Sequence, residues 1–237
     1  MSDRDLASAS ALVGAAETGG FILAVESDDN SDCVAGISSS FGGFVDGVPV
    51  LCSDMLMVRS AFRDAGIGTA LKRLQAALAI ERGFHAITWT VDPLRASNAR
   101  LNFEKLGAFS ARYERNRYGN SYGSGLYGGM PSDRLHLIWP ILTTRVQSIL
   151  LPTPSVKRQY DQSFKRIPIP EDIDALVQHD LGAALDWRFA IRDSLENEIA
   201  EGYIVAGFES HQQSGSPALI LRTDLDTFLM ADERIPQ

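Results

Sequence analysis

Residues 63–70 read Arg63-Asp64-Ala65-Gly66-Ile67-Gly68-Thr69-Ala70, between an apolar run ending at Val58 and the most regular helical pattern of the chain. A glycine-rich turn opening a helix leaves backbone N–H groups unpaired and aimed outward, and the helix dipole adds positive potential there. Both favour an anion, most simply a phosphate. No Gly-Lys-Ser/Thr follows, so the turn is not a nucleotide P-loop, and the third glycine of the dinucleotide fingerprint is missing. A Gly-x-Gly before a helix is also how an ordinary tight turn is built.

Other residues could do chemistry. Asp54 lies four residues before Val58, which places it on the same face of a regular strand and makes it a candidate proton acceptor or a paired structural carboxylate. Residues 114–132 combine Arg115, Arg117, Tyr118, Tyr122 and Tyr127 with Gly119, Gly123, Gly125, Gly128 and Gly129. Such a stretch cannot fill a core; it is a surface loop or a functional loop whose Arg117, Tyr118 and Tyr122 close on a ligand carboxylate. Trp187, Arg188 and Arg192 could meet a carboxylate or form helix-surface salt bridges. His85 and His136 read as structural, and Cys33 and Cys52 as reduced and buried. No Cys or His cluster has metal-ligand spacing, so no metal is expected.

Charge supports an anionic ligand. The chain of 237 residues has a net charge of −8, distributed as −7 over residues 1–50, +5 over 51–140 and −6 over 141–237. A basic middle within an acidic protein suits a small multiply anionic ligand better than nucleic acid, which requires a continuous basic surface. No run approaches the roughly 18 apolar residues of a membrane helix, and the acidic start Met1-Ser2-Asp3-Arg4-Asp5 is unlike a secretory signal. A cytoplasmic protein with neither nucleic-acid nor membrane partner is expected.

The elements that must position these residues follow from periodicity. Residues 7–17 predict a helix, 21–25 and 34–41 a β-hairpin, 42–47 a loop, and 48–58 a strand with Pro49 at its start. Ile67, Ala70, Leu71, Leu74, Ala77 and Leu78 recur at helical spacing before Gly83, and residues 86–91 form a β-rich run. Strand, helix, strand at these lengths is a βαβ unit with a parallel pair. A helix over 98–106 capped by Ser97, strands near 108–113 and 134–139, a proline-marked connector, a mostly helical stretch over 173–201 and strands at 203–208 and 218–222 complete the reading.

Arg63-x-x-Gly66-x-Gly68 after Leu56-Met57-Val58 resembles the acyl-CoA pyrophosphate loop of the GNAT acyltransferase superfamily. Asn98-Ala99-Arg100-Leu101-Asn102-Phe103-Glu104-Lys105-Leu106-Gly107-Ala108-Phe109 is similar to that superfamily's next helix and strand. The resemblance implies a mixed α/β sheet with a GNAT-like acyl-CoA N-acyltransferase fold, N-terminally short because the chain opens at what resembles the second helix, and a C-terminal α/β extension. It divides the chain into an acyltransferase domain over 1–140, a connector over 141–170 and a helix-strand-strand extension over 171–237. The implied co-substrate is acetyl-CoA or another acyl-CoA, with Met57 and Val58 pairing with its pantetheine arm, Arg63, Asp64, Ala65, Gly66, Ile67, Gly68 and Thr69 holding its pyrophosphate, and Asn98 and Phe103 beside it. The implied acceptor is the amine of a small molecule or amino acid.

The sequence departs from the family pattern where Phe103 stands at the position that often carries a tyrosine acid, and where Ala96 replaces a frequent asparagine. Features of residues 92–99, 124–134 and 187–203 resemble a branch associated with succinylation of amino acids. Acetyl or succinyl transfer, a non-catalytic acyl-CoA-binding or scaffold role, and a homodimer all stay open.

Overall fold

The computed structural model describes residues 8–27, 30–119, 129–151 and 164–223. In chain order the elements are α1 (Ala9–Glu17), β1 (Phe21–Ser27), β2 (Asn30–Val45), β3 (Val48–Val58), α2 (Ile67–Glu81), β4 (Ala86–Val91), α3 (Ala96–Ala99) running into a π-helical stretch (Arg100–Leu106), β5 (Phe109–Glu114), β6 (Arg134–Trp139), α4 (Thr144–Leu150), β7 (Lys165–Pro168), α5 (Ile173–His179), α6 (Leu181–Ala200), β8 (Ile204–Glu209), α7 (His211–Ser214) and β9 (Ala218–Arg222). They pack as two units, one of residues 7–89 and 139–150, the other of residues 90–138 and 151–228. These units cut across the 1–140, 141–170 and 171–237 division expected from the sequence.

In the first unit β1, β2 and β3 form an antiparallel meander. The turn between β2 and β3 is only Asp46-Gly47, with φ of 51° and 79°. Two consecutive positive φ values give a turn whose twist matches that of the strands, so pairing runs to Val45↔Val48. The loop expected over 42–47 is therefore mostly strand. β4 returns parallel to β3, as the βαβ reading requires, but the register holds only for Val50↔Ala86, Leu51↔Ile87 and Cys52↔Thr88. Beyond those pairs the two strands part. Val50, Leu51 and Ile87 of the strands and Leu71, Ala76 and Ala79 of α2 are all buried.

In the second unit β5 pairs antiparallel with β6 on one side and, at Ser110↔Val205, with β8 on the other; β9 and then β7 extend the sheet. The segment expected to be a proline connector thus contains α4 and β7. Pro168 ends β7 opposite Ala218, at an end position where a missing N–H is tolerated. Ser97 does not cap a helix: Arg95 occupies the N-cap of α3 without a side-chain bond, and the helix widens into the π turn ending at Gly107. Both cysteines are free, as expected, but half-buried rather than buried.

Arg188 and Arg192 of α6 are not surface groups. Arg188 is 1% exposed and donates from Nη2 to Asp92 Oδ2 at 2.6 Å, while its Nε and Nη1 have no hydrogen-bond partner among the described residues. Arg192 grips the fully buried Asp133 through Nε and Nη2 at 2.8 and 3.0 Å. Asp133 also accepts from the Tyr113 hydroxyl at 2.6 Å and the Asn116 N–H at 2.9 Å. Burial pushes the Asp133 carboxyl up, but these donors outweigh it and hold it below its usual value. Burial first, and then the bond to Asp133 and its negative charge, hold the Tyr113 hydroxyl protonated far above its ordinary range, against the opposing pull of Arg188 and Arg192.

The mostly helical stretch expected over 173–201 is two helices because Asp180, with non-helical φ −152° and ψ 86°, interrupts it and caps the second: its Oδ1 accepts from the Ala183 N–H at 3.0 Å. Replacing an N-cap aspartate by alanine costs about 1 kcal/mol. Asp180→Ala should lower the unfolding free energy by that amount in urea titration, and Asp180→Asn, which keeps the acceptor, should lose much less.

Candidate acyl-CoA site

Past β3 the chain makes a short 3₁₀ turn at Ser60–Phe62 and reaches Gly66, which caps α2 with φ 83°. That conformation excludes a side chain at little cost only for glycine. Gly68 has ordinary backbone geometry, and a Cβ placed there would meet nothing nearer than Leu56 Cδ2 and Val58 Cγ2 at 3.9 Å; one at Gly66 would meet nothing within 4 Å. The protein's own packing therefore does not require glycine at 68. What the bare turn provides is space for an external group to approach the first amides of α2, those of Ile67, Gly68 and Thr69. The first bond closed inside the helix is Ala70 N–H to Gly66 O at 3.0 Å. Arg63 folds back so that Nε donates to Val58 O at 3.4 Å. Asp64 and Ala65 complete the turn.

The edge of β3 vacated by β4 is the second feature. Arg59 N–H donates to Ala35 O at 2.9 Å, which fixes the phase of the β2–β3 ladder. By alternation Met57 then turns its backbone N–H to β2, while Leu56 and Val58 turn theirs to the edge that β4 leaves. Of the two residues expected to pair with a pantetheine arm, Val58 thus turns its N–H to the open edge and Met57 turns its N–H to β2, while Leu56, which was not among them, shares the open edge. Only the ladder phase reveals it.

Asp54 is not on the face of Val58. Ser39 pairs with Met55 and Ser40 with Ser53, so Asp54 is the extra residue of a β-bulge and breaks the two-residue alternation. Its Oδ2 lies 3.5 Å from Ser39 Oγ, whereas Ser53 reaches α2 through Lys72 and Leu56 and Val58 lie over Gly68. Asp54 is exposed, at the place where the strands part.

Beneath the parting strands lies a cluster that the sequence reading missed. Lys72, at a position that reads simply as part of a helix, is 2% exposed. Its Nζ donates to Ser53 Oγ at 2.8 Å and Gln75 Oε1 at 3.3 Å, and sits 3.7 Å from the centroid of the Trp89 ring. Gln75 in turn donates to Ser38 Oγ at 3.3 Å. All these partners are uncharged. Burial pushes the Lys72 ammonium down to about 7, while the Trp89 face works in the opposite direction by favouring the cation.

The remaining expected site residues belong to the second unit. Phe103 is 1% exposed and fills the core. Asn98 is half-buried on α3. Arg117 pairs with Glu114 at 2.6 Å and approaches His136 Nε2 at 3.1 Å; His136 also contacts Glu114. Burial lowers the His136 pKa, against the pull of Glu114. Tyr118 is tied by its N–H to Ser132 Oγ at 2.9 Å and by its hydroxyl to Thr90 Oγ1 at 3.2 Å, with its ring 37% exposed. Arg115 is held by Glu196. The described ends of the glycine and tyrosine loop are thus anchored; Tyr122 lies outside the described residues. Among the described residues no group of side chains could hold a metal ion, and no helix is long and apolar enough to cross a membrane.

Residues 4–108 match the model of the acetyltransferase (GNAT) family, and the phosphate-facing turn and parted strands lie within the matched stretch. No curated protein matches the sequence significantly. Among solved structures it is similar to a nourseothricin acetyltransferase (20% identity, 53% of this chain and 67% of the other, TM-score 0.41). It is also similar to the NatC complex bound to Gag peptide and CoA (16%, 58% and 84%, TM-score 0.46) and to a GNAT acetyltransferase from Elizabethkingia anophelis with acetyl-CoA bound (15%, 59% and 91%, TM-score 0.45).

Two measurements check this geometry. Gly68→Ala should leave the melting temperature unchanged or raise it, since alanine is favoured over glycine in a helix by about 1 kcal/mol, while weakening CoA binding in calorimetry. Lys72 gives a pH dependence of stability. Its folded pKa of about 7 lies below its value of roughly 10.4 in an unfolded chain, so between the two the unfolded state binds the extra proton. Stability should rise with pH across that window, by up to about 1.4 kcal/mol per unit, and the penalty should be fully present below 7. Urea titrations of Lys72→Met should lack this contribution to the slope and show higher stability than wild type at pH 6.

Proposed function

We propose that the protein is an N-acyltransferase that moves an acyl group, acetyl in the simplest case, from acyl-CoA to the amine of a small molecule or amino acid by direct attack. The observation that carries this reading is the open Gly66–Gly68 turn, where packing asks for no glycine at 68 and unpaired amides face outward at a helix N-terminus. In this role the Ile67, Gly68 and Thr69 amides hold the pyrophosphate with Arg63 beside them, and the Leu56 and Val58 backbone groups pair with the pantetheine arm. Fixing the thioester on a strand edge converts the encounter with the amine into a step between oriented groups. Asp54, exposed at the bulge, is the carboxylate that β3 offers to accept the amine proton. Arg117 and Tyr118 are assigned to the acceptor, as a cation and a hydroxyl for its carboxylate.

The thiolate leaves without a tyrosine acid at 103. A CoA thiol is acidic enough, with a pKa near the usual thiol value of about 8.5, for its thiolate to depart unaided. The absent acid also supports a second reading, a non-catalytic acyl-CoA-binding protein. Succinyl-CoA is the alternative donor.

Calorimetry should show millimolar or tighter binding of CoA that Gly68→Trp abolishes by covering the amides; no binding by the wild type would end the acyl-CoA reading. A thiol-release assay with acetyl-CoA and succinyl-CoA over a panel of amines and amino acids separates the enzyme from the binding protein. Binding without release from any acceptor selects the latter. With an active acceptor in hand, Arg117→Ala should raise its KM about tenfold, the loss of roughly one charge-assisted hydrogen bond, and leave CoA affinity unchanged.

A further inference from the structure

Lys72 occupies a singular place relative to the fork. The last parallel pair is Cys52↔Thr88; the next residue of β3 is Ser53 and the next of β4 is Trp89. Lys72 Nζ touches both, at 2.8 Å from Ser53 Oγ and 3.7 Å from the Trp89 ring centroid. The amine thus bridges the first residue on each strand after their separation. Its backbone is four residues along α2 from Gly68, about 6 Å on a rigid helix, so one rod carries both the phosphate-facing turn and this bridge.

An amine at this buried position is costly. Methionine would fill the same length without desolvating a polar group, and Ser53, Gln75 and Trp89, the partners that meet Lys72, carry no compensating negative charge. Parted strands also have an alternative: Ser53–Val58 could satisfy their outer backbone groups by continuing the ladder with β4, which buried peptide groups favour strongly. The bulge at Asp54 rotates β3 away from that ladder, and the bridge from α2 fixes how far the strands stand apart.

We propose that Lys72 is a positioning residue that holds the fork between β3 and β4 at the separation the pantetheine arm of an acyl-CoA requires, by tying Ser53 to Trp89 from the helix that bears the phosphate-facing turn. The part concerning CoA rests on the acyl-transfer reading; the part concerning the fork does not. A merely structural lysine would affect all ligands alike or none, whereas a fork strut acts on the arm alone.

The test uses Lys72→Met, which keeps length and burial, and Ser53→Ala, which removes only one side of the bridge. Calorimetry compares CoA with adenosine 3′-phosphate 5′-diphosphate, which lacks the pantetheine arm. Lys72→Met should bind CoA about tenfold more weakly, with Ser53→Ala changed in the same direction, while both keep wild-type affinity for the armless ligand. Wild-type affinity of Lys72→Met for both ligands, or an equal loss for both, overturns the proposal. If the wild-type protein binds neither ligand, the acyl-CoA reading fails, and hydrogen exchange of the free protein decides the strut separately. Exchange at the Leu56 and Val58 amides should slow in Lys72→Met as the strands close, and unchanged exchange there overturns the role of Lys72 at the fork.

Discussion

A parallel strand pair that stops after three residues leaves a row of backbone groups with no partner, and the first unit is arranged around that constraint. Cys52 and Thr88 are the last to pair, and among the described residues no strand pairs with the outer edge of β3 beyond them. Unpaired peptide groups are tolerated where water or a ligand can reach them and costly where neither can. The bulge at Asp54, the bare turn at Gly66–Gly68 and the Lys72 bridge all lie within a few residues of this parting. Each follows from keeping one strand edge open next to a helix N-terminus.

The consequences for chemistry run through backbone rather than side chains. An acyl-CoA would be held by amides of α2 and of β3, groups that every residue has, so the side-chain requirements reduce to leaving them exposed. On that reading glycine stands at 68, although no neighbour crowds it, to leave those amides open. It also explains why the charged residues that drew attention in the second unit are mostly engaged with each other. Asp133 is enclosed by Arg192, Tyr113 and Asn116, and Arg188 is fastened to Asp92. These fix α6 against its sheet. Breaking such a buried pair from one side costs far more than the pair contributes, so their arrangement speaks to architecture.

Much of this was legible from the chain alone. The helical spacing of Ile67, Leu71, Leu74 and Leu78, the β-rich runs on either side and the glycine turn before them were enough for a parallel βαβ unit with an anion-facing turn, because those signals are local: period, propensity and capping act within a few residues. The β-strands at 204–209 and 218–222 are of the same kind, although continuous strand pairing absorbed residues 42–45 of the stretch that read as loop.

What only the tertiary structure decided are properties that depend on pairing and burial. The face of Asp54 could not be counted from Val58, because a bulge is a mismatch between two strands and leaves no mark in the sequence of one. Which of Leu56, Met57 and Val58 opens its backbone to a ligand depends on the phase of the ladder with β2, set by a bond between Arg59 and Ala35. Arg188 reads as a solvated helix residue until α6 is packed, and Lys72 as one more base in a basic segment until Trp89 and Ser53 are brought over it. Sequence period determines that a segment is a strand or a helix. Where its polar groups end up is determined by the segments, tens of residues away, that take water from around them.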